Sequence, residues 1–427
     1  MKKLASYMLL ILVCITPILV KPFGDERFSF PKAMFLYLCC LIMLIALITY
    51  RIKDKRRHTF SLQGKLILVY IFICIISTLF TVNLYNSLIG RSGRWEGLFA
   101  ILCYVFLFFI ASFYYEFNIN HLRFIAVTSM VVSILGILQF FGYDLVYGFG
   151  PDSLWYKQCF STIGHRNFVG SYICLMLPLM SISFIYLKDK LCFAASCLLF
   201  LCMLSSTTRS AWLSMSALLF LLIVFTVKKL IGPRPLLLLI CAFAVLFVTF
   251  NYVSGNVISQ RYASIYSNAA EFDDDSGSFR IFIWKRALPL VWDRPLLGAG
   301  IDNFAEVFMP KYGEETQKVM PDTTVDKAHN EFLQIAVATG IPSLLVYLSF
   351  LITMFIKSLR LIKKDKKAFV LFCCILAYQM QAFFNISVVS VAPLMWILLG
   401  ILNGIILKNE RAEELSADTV DEIYPTI

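Results

Sequence analysis

Long apolar runs follow one another along almost the whole chain, and one long polar segment breaks the series. The runs fall at approximately 4–20, 33–50, 66–81, 97–115, 122–141, 168–187, 191–207, 210–227, 235–253, 332–356, 368–384 and 387–407. Runs of ~18 or more apolar residues can cross a ~30 Å hydrocarbon core as helices. The pattern predicts an all-α, polytopic integral membrane protein with about twelve transmembrane helices. Nine occupy residues 1–253 and three occupy 332–407, with a short tail at 408–427. Residues 254–331, about 78 in number, form one large segment outside the bilayer.

That segment has its own pattern. Residues 254–277 read as a polar linker ending in Asp273-Asp274-Asp275, with Ser276 or Ser278 as a helix cap. Ser278 to Trp292 reads as an amphipathic helix with Phe282, Trp284, Leu288 and Trp292 on its apolar side. Trp284 and Trp292 suit the interfacial zone. Asp293 to Gly300 is rich in turn residues, and a second short helix is expected over Asn303–Tyr312. Gly313 to Lys327 is polar and loop-like, a candidate lid. Ala328-His329-Asn330-Glu331 opens the tenth span, which Gly340-Ile341-Pro342 interrupts.

Composition supports a membrane class. The chain of 427 residues is 59% hydrophobic and only 15% charged, where a soluble domain would carry about 25% charged residues. Its thirteen Cys lie mostly inside the apolar runs and read as small buried hydrophobes. They form no CxxC pair, so neither a disulfide framework nor a zinc site is expected. The N-terminus opens like a signal peptide but has no small-x-small cleavage site, and reads as the first span.

Charge sets the orientation. With the N-terminus in the cytoplasm, 22 of the 38 Lys and Arg fall in cytoplasmic segments, against eight in the short outer loops. The positive-inside rule then puts both termini in the cytoplasm and residues 254–331 outside, in a bacterial cell membrane. The net charge of +11 follows from this bias and forms no single stripe, so no nucleic-acid partner is expected.

On that orientation Arg91, Arg94, Arg166, Arg209 and Arg280, with His165 and His329, all reach the outer face. Ionisable groups at the lip of a membrane bundle suggest chemistry there on an anionic substrate. Each has a plainer reading. Arg209 could snorkel from a helix end, Arg280 could be solvated, and His329 could cap a helix beside the better cap Asn330. His165 and Arg166 could be structural, and Arg91 and Arg94 could meet lipid headgroups.

Several stretches together carry a resemblance. They are Thr208-Arg209-Ser210 within 205–212, Arg280-Ile281-Phe282-Ile283-Trp284, and Pro295-Leu296-Leu297-Gly298-Ala299-Gly300 with Phe304. Ala328-His329-Asn330-Glu331 with Gly340-Ile341-Pro342 is another, as are residues 160–167 ahead of Leu177-Pro178. In this order they resemble the O-antigen ligase and O-antigen polymerase superfamily of membrane glycosyltransferases. The resemblance implies transfer of a glycan from a polyprenyl pyrophosphate carrier to a lipid, glycan or protein acceptor, among membrane lipids. It implies no cofactor, neither a nucleotide sugar nor a metal. It also places the family's two Arg and one His on Arg209, Arg280 and His329. His329 would be the general base, with Arg166, His165, Asn167, Arg91, Arg94 and Asn330 as substrate contacts. Arg suits a pyrophosphate because its guanidinium stays charged and grips oxygens in a fork.

A ligase is the expectation. A repeat-unit polymerase or a protein O-oligosaccharyltransferase shares the same motifs. A transporter or flippase would carry mid-span charges and an internal repeat, and neither is visible in the sequence.

Overall fold

The computed structural model describes residues 1–24, 26–53, 59–260, 263 and 279–423. The acidic run and the Ser276 or Ser278 cap fall outside the described residues. The helices, in chain order, are α1 (Lys2–Ile15), α2 (Ser29–Lys53), α3 (Leu62–Leu79), α4 (Leu84–Ile89), α5 (Leu98–Tyr114), α6 (Ile119–Phe140), α7 (Arg166–Leu187) and α8 (Lys190–Ser206). They continue with α9 (Arg209–Val227), α10 (Pro233–Val253), α11 (Arg280–Asp293), α12 (Phe304–Val319), α13 (Glu331–Thr339), α14 (Ile341–Leu361), α15 (Lys366–Ala382) and α16 (Ala392–Ile423). No strand occurs among the described residues.

Each of the twelve expected runs is helical. Eight helices among the described residues are long and apolar enough to cross a membrane: α2, α3, α6, α7, α9, α10, α14 and α16. α5 and α8 are apolar but reach only 17 residues each. α1 and α15 fill the expected first and eleventh places. The tenth run is divided at Gly340, whose φ of 89° a side chain would oppose, so α13 and α14 meet there at a sharp break. α16 continues from the last apolar run into the tail, as far as Ile423.

Burial ranks the helices. The apolar window of α7 is 94% buried and that of α10 only 17% buried. α7 is therefore the central rod, packed against α8 and α15, and α10 turns its apolar side outward. α5 pairs closely with α16. Gly400 and Gly404, four residues apart, face the backbone carbonyls of Phe108 and Ser112, where a Cβ would collide. Small residues at this spacing let two helix backbones approach within a membrane.

The outer segment is a layer with its own core. Phe282, Ile283, Leu290, Phe304 and Phe308 close on one another with Val325 and Val337. The turn at 295–300 fastens that layer to the bundle. The amide N–H groups of Ala299 and Gly300 donate to the carbonyls of Val337 and Ala338 at 2.9 and 2.8 Å. Val82 N–H donates to the Ala299 carbonyl at 3.0 Å, and the Ser77 hydroxyl to the Leu297 carbonyl at 2.6 Å. One expectation changes here. The second outer helix runs to Val319 rather than Tyr312, so Gly313 and its followers are helical and no loose lid. Half-buried Trp284 packs against Phe383 and Phe384.

Candidate active site

Three helix starts bring the candidate residues together. Arg166 is the first residue of α7, Arg209 of α9 and Arg280 of α11. The sequence favours each start. His165 caps α7, its Nδ1 accepting the Asn167 N–H at 3.2 Å. Thr207 takes a left-handed φ of 50° and ends α8, so the chain can turn into α9. The Thr208 hydroxyl then donates to the Arg166 carbonyl at 3.0 Å, tying the two Arg-bearing starts. Burial, then the charges of Arg209 and Arg166, lower the Arg280 guanidinium to about 10. Like charges are thus packed close enough to feel one another, an arrangement suited to an anion.

His329 reaches the same place from the opposite side of the sequence. Its backbone sits at φ 50°, a left-handed conformation that a non-glycine residue holds only when its surroundings impose it. The surroundings are visible. Trp284 Nε1 donates to the Ala328 carbonyl at 2.9 Å, and Gln334 Oε1 accepts the Ala328 N–H at 2.9 Å. Asn330 caps α13, its Oδ1 accepting the Leu333 N–H at 3.0 Å. Trp284 lies one turn beyond Arg280 on α11, so one helix carries Arg280 and also braces the residue beside His329. The buried His329 Nδ1 makes no hydrogen bond among the described residues.

Electrostatics keep both imidazoles neutral. Burial first, then Arg280, hold His329 down to about 4, against an opposing pull from Asp326. Burial, then Arg166, Arg94 and Arg280, hold His165 at about 4 as well. Because His165 Nδ1 accepts a hydrogen bond, its neutral ring carries the proton on Nε2. His165, Asn167, Arg94 and His329 line one cavity of ≈ 250 Å³, which Phe28 and Trp155 wall on another side.

The remaining expected contacts divide. Arg94 lines the cavity, but Asp326 holds it in a fork, at 2.7 Å to Nε and 3.0 Å to Nη2. Burial disfavours the charge of Arg94, and Asp326 outweighs it, raising the guanidinium above its ordinary value. Arg91 stands apart, with Nη1 3.5 Å from Glu306 and its backbone N–H donating to Asp302 at 2.6 Å. Asn330 acts as a helix cap, and is not among the residues lining the cavity.

The sequence reading missed a polar cluster that includes Lys327 and Glu331, on either side of His329 in the chain. Lys327 Nζ pairs with Asp302 at 2.7 Å, both side chains almost fully buried. Ser387 joins two carboxylates, buried Glu96 and half-buried Glu331. Its hydroxyl donates to Glu96 at 2.6 Å and its N–H to Glu331 at 2.6 Å. Burial, then Glu96, push Glu331 up to about 7. Asn385 Nδ2 donates to the Asn167 carbonyl at 3.1 Å. The signal available was the Asp326-Lys327 pair two residues ahead of His329 and the Gln381 and Asn385 amides at the end of an apolar run.

The fold and this site define a multi-pass helical membrane protein with a cationic, imidazole-bearing chamber at one end of its bundle. Residues 193–348, from α8 into α14, match the model of the O-antigen ligase family. The match includes Arg209, Arg280 and His329, and begins after His165 and Arg166. No curated protein matches the chain.

Proposed function

We propose that the protein is a glycosyltransferase of the ligase type, which moves a glycan from a polyprenyl pyrophosphate to an acceptor hydroxyl on the extracytoplasmic face. The observation that supports it most is the convergence of Arg209, Arg280 and His329 from three separate segments, with Arg280 and His329 in electrostatic contact. Arg209 and Arg280 grip the pyrophosphate oxygens. His329 takes the proton of the acceptor hydroxyl as its oxygen attacks the anomeric carbon. The bond from that carbon to the phosphate oxygen breaks, and the polyprenyl pyrophosphate leaves with the electron pair. Attack opposite the leaving group inverts the anomeric centre. Charge grows on the leaving oxygen, and donors fixed in advance stabilise it by ~3–4 kcal/mol each.

Purified protein mixed with an undecaprenyl pyrophosphate-linked glycan should release free carrier and form a glycosylated acceptor. Lipid, saccharide and pilin-like peptide acceptors offered in parallel choose among ligase, polymerase and protein-directed activity. Carrier that stays fully glycosylated with all three, in protein that remains folded, overturns the reading.

A further inference from the structure

A second cavity, of ≈ 380 Å³, lies at the other end of the same helices. On α5 and α7 the Arg–His cluster sits at the N-terminal ends, whereas this cavity is bounded by Ser112 and Tyr115 near the end of α5 and by Ser183 and Leu187 of α7. It is larger than the ≈ 250 Å³ chamber and falls in the ~300–1,000 Å³ range of ligand pockets. Its walls are apolar, from Leu122, Leu179, Val370 and Leu398 among others. Its rim is basic, with Lys2, Lys366, Lys367 and Lys408.

Aromatic faces hold two of these ammonium groups in place. Lys367 Nζ lies 4.6 Å from the centroid of Phe117, and Lys366 Nζ 5.2 Å from that of Tyr186. The nearby carboxylates are otherwise engaged. Glu116 pairs with Lys2 at 3.0 Å, and Asp365 caps α15 by accepting the N–H groups of Lys367 and Ala368. Four cations against these leave a positive rim over an apolar shaft. A shaft between helices in a bilayer suits an acyl chain, and lysines at its mouth suit a phosphate.

We propose that this cavity is a specific site for one anionic phospholipid, its acyl chain in the shaft and its phosphodiester among Lys366, Lys367 and Lys408. The site is separate from the Arg–His chamber and rests only on the chain being a multi-pass membrane protein. On the orientation expected from the basic residues it faces the cytoplasmic leaflet, which carries anionic lipid. Occupancy would clamp α5, α7, α15 and α16 together from the end remote from the chemistry.

Native mass spectrometry and thermal denaturation of the full chain in detergent test this. Phosphatidylglycerol should stay bound and raise the Tm, whereas phosphatidylcholine with the same acyl chains should do neither. The triple variant Lys366→Gln, Lys367→Gln, Lys408→Gln should bind phosphatidylglycerol roughly tenfold more weakly or worse. The corresponding triple Arg variant should keep it. Equal binding of the two lipids by the parent overturns the proposal, and that comparison needs no variant to fold. A Tm rise from inorganic phosphate alone as large as that from the lipid also overturns it, as does parental affinity in the triple Gln protein.

Discussion

His329 offers the sharpest test of the chemistry. A histidine in water titrates near ~6.5. Here burial, and after it the charge of Arg280, hold the imidazole at about 4. A fall of this size corresponds to ~3 kcal/mol of preference for the neutral ring, as an order of magnitude. The kcat/KM profile reports the free enzyme. It should therefore stay level from pH 7 down to about 5, one unit above the depressed value, and should not bend near ~6.5. A bound pyrophosphate brings negative charge that opposes Arg280, so the imidazole rises in the complex. The acid limb of kcat should then lie at higher pH than that of kcat/KM. Stability moves the same way. The fold favours the neutral ring, so its contribution is whole above ~6.5 and is lost as pH falls through ~6.5 toward about 4. His165 adds to the loss over the same window. His329→Gln keeps a polar side chain but accepts no proton at neutral pH. It should lose about 10²–10⁴-fold in kcat, with KM little changed because the base acts in the transition state. The assay is release of glycan-free carrier, followed by chromatography from pH 4 to 8 (roughly the span of the two titrations). A kcat/KM limb at ~6.5, or a Gln variant near the parental rate, would refute the assignment of His329 as the buried base.

Other tests address separate parts of the molecule. Arg280→Ala and Arg209→Ala should each slow transfer about 10²–10³-fold, and the Lys variants should rescue poorly because the fork is lost while the charge stays; full activity in both Ala variants would leave them as anchors. Lys327→Met leaves Asp302 buried without its partner 2.7 Å away, which should cost about 3–5 kcal/mol. The Tm in detergent should fall accordingly, and adding Asp302→Asn should recover part of it; a single variant with parental Tm would show the pair to be idle. A reporter inserted after Asp322, in an exposed turn, should be active only outside the cytoplasm and one after Lys364 only inside, the reverse result placing the chamber on the wrong face.

Local properties were legible in the sequence. The free energy of moving a side chain into hydrocarbon is set residue by residue, so apolar runs announced the helices wherever they stood. The division of the tenth run was legible for the same reason, because Gly340 and Pro342 act on their own backbone. Arg209, Arg280 and His329 stood out as ionisable residues at the edges of such runs, and Asn330 stood out as the cap that starts α13. The Gly400 and Gly404 spacing was readable too, although only α5 shows what it serves.

Tertiary structure decided the partners. The sequence offered Arg94 as a substrate contact, and Asp326, 232 residues away, holds it in a fork. Trp284 read as a residue suited to the interface, and the fold shows that its indole N–H also braces the Ala328 carbonyl beside His329. Residues 313–327 read as a lid, yet α12 takes up the first part, and Lys327 is locked to Asp302. Periodicity and hydropathy say which face of a segment is apolar, and are silent on which other segment will cover it. Ion pairs and depressed imidazoles arise from distances between chain-remote atoms and from the water those neighbours exclude. Only the packed bundle fixes those distances, so the residue types of the chamber belonged to the sequence and their charges and roles to the fold.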